Sequence, residues 1–329
     1  MNAANPNNLR QVKAVGVNTD LLCIARVPGT QQLWAGGRDG KLYHIDFAMA
    51  NPLPQSFAAH DSYVSGVVLT DRHIISAGWD KRISWWDLES KRHVRTIQAH
   101  QRWIRQLAMS PNKETVATVA DDMVCRLWDA NSGRLQRELR GHAEKIPVSH
   151  YPSKLYACAV SSDGRYVAAA DFVGRVLVWE IASGNQVGSI EAPIFLNPRP
   201  YVLGWGGLRA LAFSPDSNQL ALAGMENTDP YITVGNSLVR VYNWRSAEQT
   251  HEFKAGRDFQ FESVCFSQRG DWVAAASGGG RANLTFFDLA ARRVIKDATP
   301  PSQIYGLALG DNSETLFGAG RHFVQWDLV

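Results

Sequence analysis

The sequence predicts an all-β protein of seven repeated, four-stranded units, and three observations carry that expectation. Dipeptides closing an apolar run recur as Ile45-Asp46, Trp86-Asp87, Trp128-Asp129, Trp179-Glu180, Tyr242-Asn243, Phe287-Asp288 and Trp326-Asp327, spaced by 41, 42, 51, 63, 45 and 39 residues. Between them lie short β-prone runs divided by turn residues. Long amphipathic helical stretches are absent. A period of roughly 40–45 residues with this composition marks the blade of a propeller.

Repeat 3 shows the unit most plainly. Its strands are "WIRQLAMS" (103–110), "TVATVA" (115–120), "MVCRLWD" (123–129) and "LQRELR" (135–140), divided by "PNKE", "DD" and "ANSG". Repeat 2 carries "SAGWDKRISWWD" (76–87) after a "FAAH" ending at His60. Ser76, His60 and Asp80 are the ingredients of a hydrolase triad. Repeat 3 places Thr118, Asp122 and Trp128 at the same offsets, after His100. Active sites are seldom duplicated along a chain, whereas structural units often are.

Bulk properties set the outer bounds. The 329 residues carry a net charge of +3 and are 45% hydrophobic, enough for a sizeable core. A pI near 8.7 is too mild to argue for nucleic acid by itself. The N-terminal "MNAANPNNLRQ" lacks the apolar stretch of a secretory signal, and no apolar run reaches the ~20 residues of a membrane span. Cys23, Cys125, Cys158 and Cys265 lie far apart in strand-like runs, without a C-x-x-C pair. They read as small buried thiols in a reducing compartment. A cytoplasmic chain without membrane contact is expected.

The chain resembles the WD-repeat (WD40) family of seven-bladed β-propellers. "LWDANSGRLQRELRGH" (127–142) and "LAFSPDSNQLALAG" (211–224) carry the resemblance most strongly, and repeats 1, 5, 6 and 7 diverge. The resemblance implies strands a to d running outward from the central axis. It places the d–a and b–c connections on one face, the top. Repeat 7 stops after its third strand, and "LRQVKAVGV" (9–17) occupies a d-strand position, with Gly16-Val17 where other repeats carry Gly-His. The resemblance therefore implies that the N-terminus completes the last blade and closes residues 1–329 into one domain, monomeric when free. It also makes His60, Ser76, Asp80 and Trp86, and likewise His100, Thr118, Asp122 and Trp128, buried structural tetrads. In repeat 1 Asp39 survives while Val17 and Ile45 replace the His and Trp; repeats 4–7 place Val173, Asn236, Arg281 and Gly320 at the turn. Those blades are expected to rely mainly on apolar packing.

Function is sought on the top face. Against the spacing of repeat 3, surplus residues fall in 143–154, 194–207 and 225–236, all top connections around blades 4 and 5. They carry Ile146, Tyr151, Ile194, Phe195, Leu196, Tyr201, Trp205 and Tyr231, an apolar content suited either to binding or to plugging the channel. Tyr63 and Trp103 follow the tetrad histidines by three residues; Arg38, Trp79, Asp121 and Phe172 hold the pre-turn position. Aromatic residues and arginine are favoured at interface hot spots. The expected partner-binding residues are Tyr63, Trp79, Trp103, Phe172, Phe195, Tyr201, Trp205 and Tyr231.

The leading expectation is a non-catalytic platform for a protein or peptide, without cofactor or metal. A propeller hydrolase or lyase is the first alternative. No nucleophile elbow, phosphate loop or metal-ligand spacing supports it, and His142 and His150 lack a cysteine or carboxylate set. The other alternative is a nucleic acid or acidic ligand on Arg38, Arg102, Arg105, Arg257, Arg281 and Arg321, the nucleic acid being disfavoured by the small net charge. The sequon at Asn283–Thr285 lies in a strand and reads as coincidence.

Overall fold

The computed structural model describes residues 4–145, 152–196, 207–226, 235–257 and 259–329. Seven antiparallel four-stranded sheets form the blades. Blade 3 is typical, with strands Ile104–Met109, Thr115–Ala120, Cys125–Asp129 and Leu135–Leu139 in order a to d. The innermost strand of each blade touches the innermost strands of both neighbours, and the contact between Leu21–Arg26 and Ile304–Leu309 closes the ring. The fold is a seven-bladed β-propeller.

Burial follows from position in the blade. Strands b and c are covered on both faces by neighbouring blades, so His73–Gly78 and Arg82–Asp87 are almost wholly buried runs. Outer strands keep one wet face, and His93–Gln98 alternates between exposed and half-buried. Between blades the core is continuous: Trp85, on blade 2, packs with Leu107, Val116 and Ala130 of blade 3, and its indole donates to the Ala130 carbonyl at 2.7 Å.

Closure occurs as the N-terminal segment was expected to provide it. Arg10–Gly16 pairs antiparallel with His322–Asp327, from Arg10 opposite Asp327 to Gly16 opposite His322. The Asn5 amide donates to the Leu328 carbonyl at 2.7 Å. Lys13 reaches the carbonyls of Phe47 and Met49 in blade 1, at 2.7 and 3.0 Å. One strand thus supplies the missing edge of blade 7 and also ties it to blade 1.

Burial pushes the Cys23, Cys125 and Cys265 thiols up to about 12 and raises Cys158 as well, and all four cysteines are unpaired. Inert packing thiols fit this setting. Asn283 is 1% exposed, and its side-chain amide donates to Asp297 at 2.6 Å, which agrees with a coincidental sequon.

Candidate functional site at the channel mouth

Both tetrads form. His60 Nδ1 meets Asp80 at 2.9 Å and Nε2 meets Ser76 Oγ at 2.9 Å, while the Trp86 indole donates to the same hydroxyl at 3.0 Å. In blade 3 the matching distances are 3.0 Å for His100–Asp122, 2.7 Å for His100–Thr118 and 2.9 Å for Trp128–Thr118. Each hydroxyl is buried between imidazole and indole, so neither faces a substrate space. Partial burial alone would raise the Asp80 carboxyl. The hydrogen bond and charge of His60 outweigh it, with the Arg82 and Asp61 amides, and hold it down to about 2. Asp122 is held well below the usual range: against burial, His100, Arg126 and the Gln101 amide prevail. These are stabilising clusters.

The divergent blades pack large apolar clusters, and several add polar contacts of their own. Asp39 accepts from the Tyr43 hydroxyl at 2.7 Å in blade 1. His142 meets the single carboxylate of Asp171 at 3.0 Å in blade 4. Glu226 in blade 5 is buried against Lys254, 2.8 Å away. Asp39 and His142 hold the tetrad positions, but their partners Tyr43 and Asp171 stand elsewhere, so a search at fixed offsets passes over the pairs.

The seven innermost strands share a second feature. Each slips register near its top end, leaving a bulged residue unpaired, and blade 6 has a second irregularity between Gln260 and Phe261. The residue before the bulge is apolar and fully buried in every blade, from Leu21 and Val64 to Ile304. The bulged residues are Leu22, Ser65 and Arg105 in blades 1–3. In blades 4–7 they are Tyr156, Arg209, Glu262 and Tyr305. All seven line one axial cavity of about 340 Å³. Their signal in the sequence is faint: one variable, mostly polar residue directly after the first buried apolar residue of each strand a.

Aromatic and guanidinium groups alternate around this cavity. Arg105 is gripped by Asp121 through Nε and Nη2, both at 2.6 Å, and lies over the rings of Trp79, Trp103 and Tyr156 at 4.7, 5.3 and 4.8 Å. Arg209 lies 4.2 Å from the Tyr156 centroid and 5.2 Å from that of Phe172. Arg38, paired with Asp20 at 2.8 Å, covers Tyr63 and Tyr305. Burial raises the Glu262 carboxyl from its usual value, against the lowering effect of Arg209, Arg105 and Arg38. Burial would also raise the Tyr156 phenol, but Arg209, Arg105 and Lys154 outweigh it and lower it.

Above the cavity the expected rim residues divide into two groups. Tyr63, Trp79 and Trp103 come together: Tyr63 tilts against Trp79 at 4.5 Å, and Trp79 stacks on Trp103 at 4.5 Å with planes only 5° apart. Trp103 ends the stack, 44% exposed. Phe172 and Phe195 are corrected to core residues, 6% and 0% exposed. Phe172 is covered by Arg209 and by Gly207, whose missing Cβ would come 2.7 Å from the ring. Phe195 packs with Ile190, Ala192, Leu208 and Leu238 between blades 4 and 5. Tyr201, Trp205 and Tyr231, like Ile146, His150 and Tyr151, lie outside the described residues. Of the expected basic set, Arg102 and Arg257 are exposed, and Arg321 joins Arg38 at Asp20, 3.1 Å away.

Comparison with known proteins meets this geometry at the two blades with complete tetrads. The family model "WD domain, G-beta repeat" matches residues 51–87 and 91–129. Blades 2 and 3 are therefore WD repeats. This WD-repeat propeller is 26% identical over 209 residues to the transcriptional corepressor LEUNIG_HOMOLOG of Arabidopsis thaliana, covering 62% of the chain and 22% of that protein. It is 30% identical over 132 residues to the nuclear distribution protein PAC1 of Coccidioides posadasii, covering 36% and 28%. It is 24% identical over 185 residues to apoptotic protease-activating factor 1 of Rattus norvegicus, covering 53% and 14%. The WD-repeat chain thus spans 28% or less of each relative's length.

Proposed function

We propose that this protein is a non-catalytic interaction platform that holds a protein or peptide over the top face of the propeller. The observation that carries the reading is the Tyr63–Trp79–Trp103 stack, which ends in a half-exposed indole on a rigid rim. A flat apolar anchor already immobilised by its neighbours loses little entropy when a partner covers it. The contact is centred on blades 2 and 3, which carry this stack, in place of the blades 4 and 5 to which the surplus residues of the sequence pointed. Similarity to a transcriptional corepressor and a nuclear distribution protein supports a role in assembling complexes. Four unpaired cysteines support a reducing, cytoplasmic setting.

Site-specific photo-crosslinking in an extract of the source cells tests this. A benzophenone amino acid replaces Trp103 in one variant and Leu53 in another, Leu53 being an exposed residue of a c–d connection on the opposite face. A discrete adduct from position 103 alone is the expected result. Equal adducts from both positions, or none from either, would overturn the reading.

A further inference from the structure

The wall of the axial cavity is rich in hydrogen-bond donors and poor in acceptors. It carries the guanidinium groups of Arg38, Arg105 and Arg209 and the phenols of Tyr63, Tyr156 and Tyr305, and Glu262 is its single carboxylate among the described residues. The acids that pair with Arg38 and Arg105, Asp20 and Asp121, do not line it. Asp121 engages Nε and Nη2 of Arg105, which leaves Nη1 for another acceptor. The lowered Tyr156 phenol reports a positive potential inside. Exposed Lys81, Arg102 and Lys145 extend that field over the adjoining top connections of blades 2 to 4.

We infer that this cavity receives a carboxylate side chain from an acidic segment of the partner, an inference that rests on the interaction-platform reading above. A cationic guest is disfavoured because the aromatic faces it would seek are already occupied. Arg38 covers Tyr63 and Tyr305, Arg105 covers Trp79, and Arg209 covers Tyr156. A nucleic-acid strand is disfavoured because a single cavity of about 340 Å³ takes a side chain and offers no track along a phosphate backbone. The carboxylate sits where guanidinium and phenol donors converge, with Glu262 as the one repulsive element. That element sets an upper limit on affinity and excludes densely charged anions.

Fluorescence anisotropy with labelled pentaglutamate, pentaglutamine, pentalysine and oligouridylate, at constant ionic strength, tests the inference. Pentaglutamate is expected to bind the full chain most tightly. Glu262→Gln, which keeps shape and removes the like charge, is expected to tighten it at least about fivefold. Arg38→Gln, at a partly exposed position that leaves the blades intact, is expected to weaken it several-fold; thermal melts verify folding of both. Preference for pentalysine or oligouridylate, or no effect of Glu262→Gln, overturns the inference. Displacement by inorganic phosphate at concentrations equal to the peptide's own dissociation constant reassigns the cavity to a free anion and also overturns it. An unresponsive cavity together with intact crosslinking from position 103 sinks this inference and leaves the platform standing.

Discussion

His142 Nδ1 lies 3.0 Å from Asp171 Oδ2, both side chains buried, in a blade that lacks the turn aspartate. The carboxylate comes from the end of strand b, two residues before Val173, where blades 2 and 3 place Asp80 and Asp122. Its Oδ1 also accepts from the Val173 and Arg175 amides at 3.2 and 2.9 Å, which restores the tightening of the turn. The cluster is incomplete, since His142 Nε2 has no partner.

That vacancy gives a gain-of-stability prediction. Ala169 stands opposite Leu177, two residues before Trp179, as Ser76 stands opposite Ser84 and Thr118 opposite Arg126. Ala169→Ser supplies a hydroxyl to an unsatisfied buried nitrogen and is expected to stabilise by about 1 kcal/mol. The urea midpoint should rise with an unchanged slope. A fall would mean that the hydroxyl cannot reach His142.

The tetrad aspartates should act on stability, with a defined pH dependence. Asp80→Ala or Asp122→Ala removes a charged acceptor from a buried network, at a cost of about 1.5–3 kcal/mol. The folded carboxyl of Asp80 lies at about 2, below its ordinary 3.8. Its contribution is therefore complete above about pH 4 and is lost as pH falls toward 2. His100 acts in the same direction: burial, with Arg126, outweighs Asp122 and lowers it below 6.5, so protonation favours the unfolded chain as pH falls through that value. Urea midpoints measured from pH 8 to 2 should decline toward acid, and less steeply below pH 4 in Asp80→Asn.

Closure is tested by truncation. Deleting residues 1–17 leaves His322–Asp327 as an unpaired edge and removes the Lys13 link to blade 1. The truncated chain should unfold at lower denaturant and aggregate faster in light scattering. An unchanged midpoint would reduce the N-terminal strand to an appendage.

Two aromatic substitutions should separate surface from core. Trp103→Ala is expected to weaken partner capture by more than ~1 kcal/mol while leaving the melt nearly unchanged. Phe195→Ala opens a hole between blades 4 and 5 and should cost about 3–5 kcal/mol of stability. Partner affinity and melting curves on both variants decide the assignment. A Trp103→Ala protein that binds fully, even with Trp79→Ala added, would remove the rim from the interface.

The blade count, the two tetrads and the closing strand were legible because each rests on short-range sequence relations. A strand of period two between turn residues has its face assigned by its own pattern. Histidine, hydroxyl, aspartate and tryptophan recur at offsets that one blade's hairpins bring together without help from other blades. Tyr63, Trp79 and Trp103 were likewise placed on the rim by their offsets from those tetrads. The burial of individual aromatic side chains in the top connections was not legible. Phe195 and Phe172 look alike as loop aromatics, and both became core because neighbouring strands closed over them. Arg105, Tyr156, Arg209, Glu262 and Tyr305 of the axial cavity follow one another at 43 to 53 residues in the chain. Only ring closure converts seven separate bulges into one wall. The sequence by itself determined which residues each blade keeps inside, through hydrophobic period and turn chemistry. The tertiary structure alone decided which charges and rings face one another across the axis, because that proximity comes from the packing of whole blades.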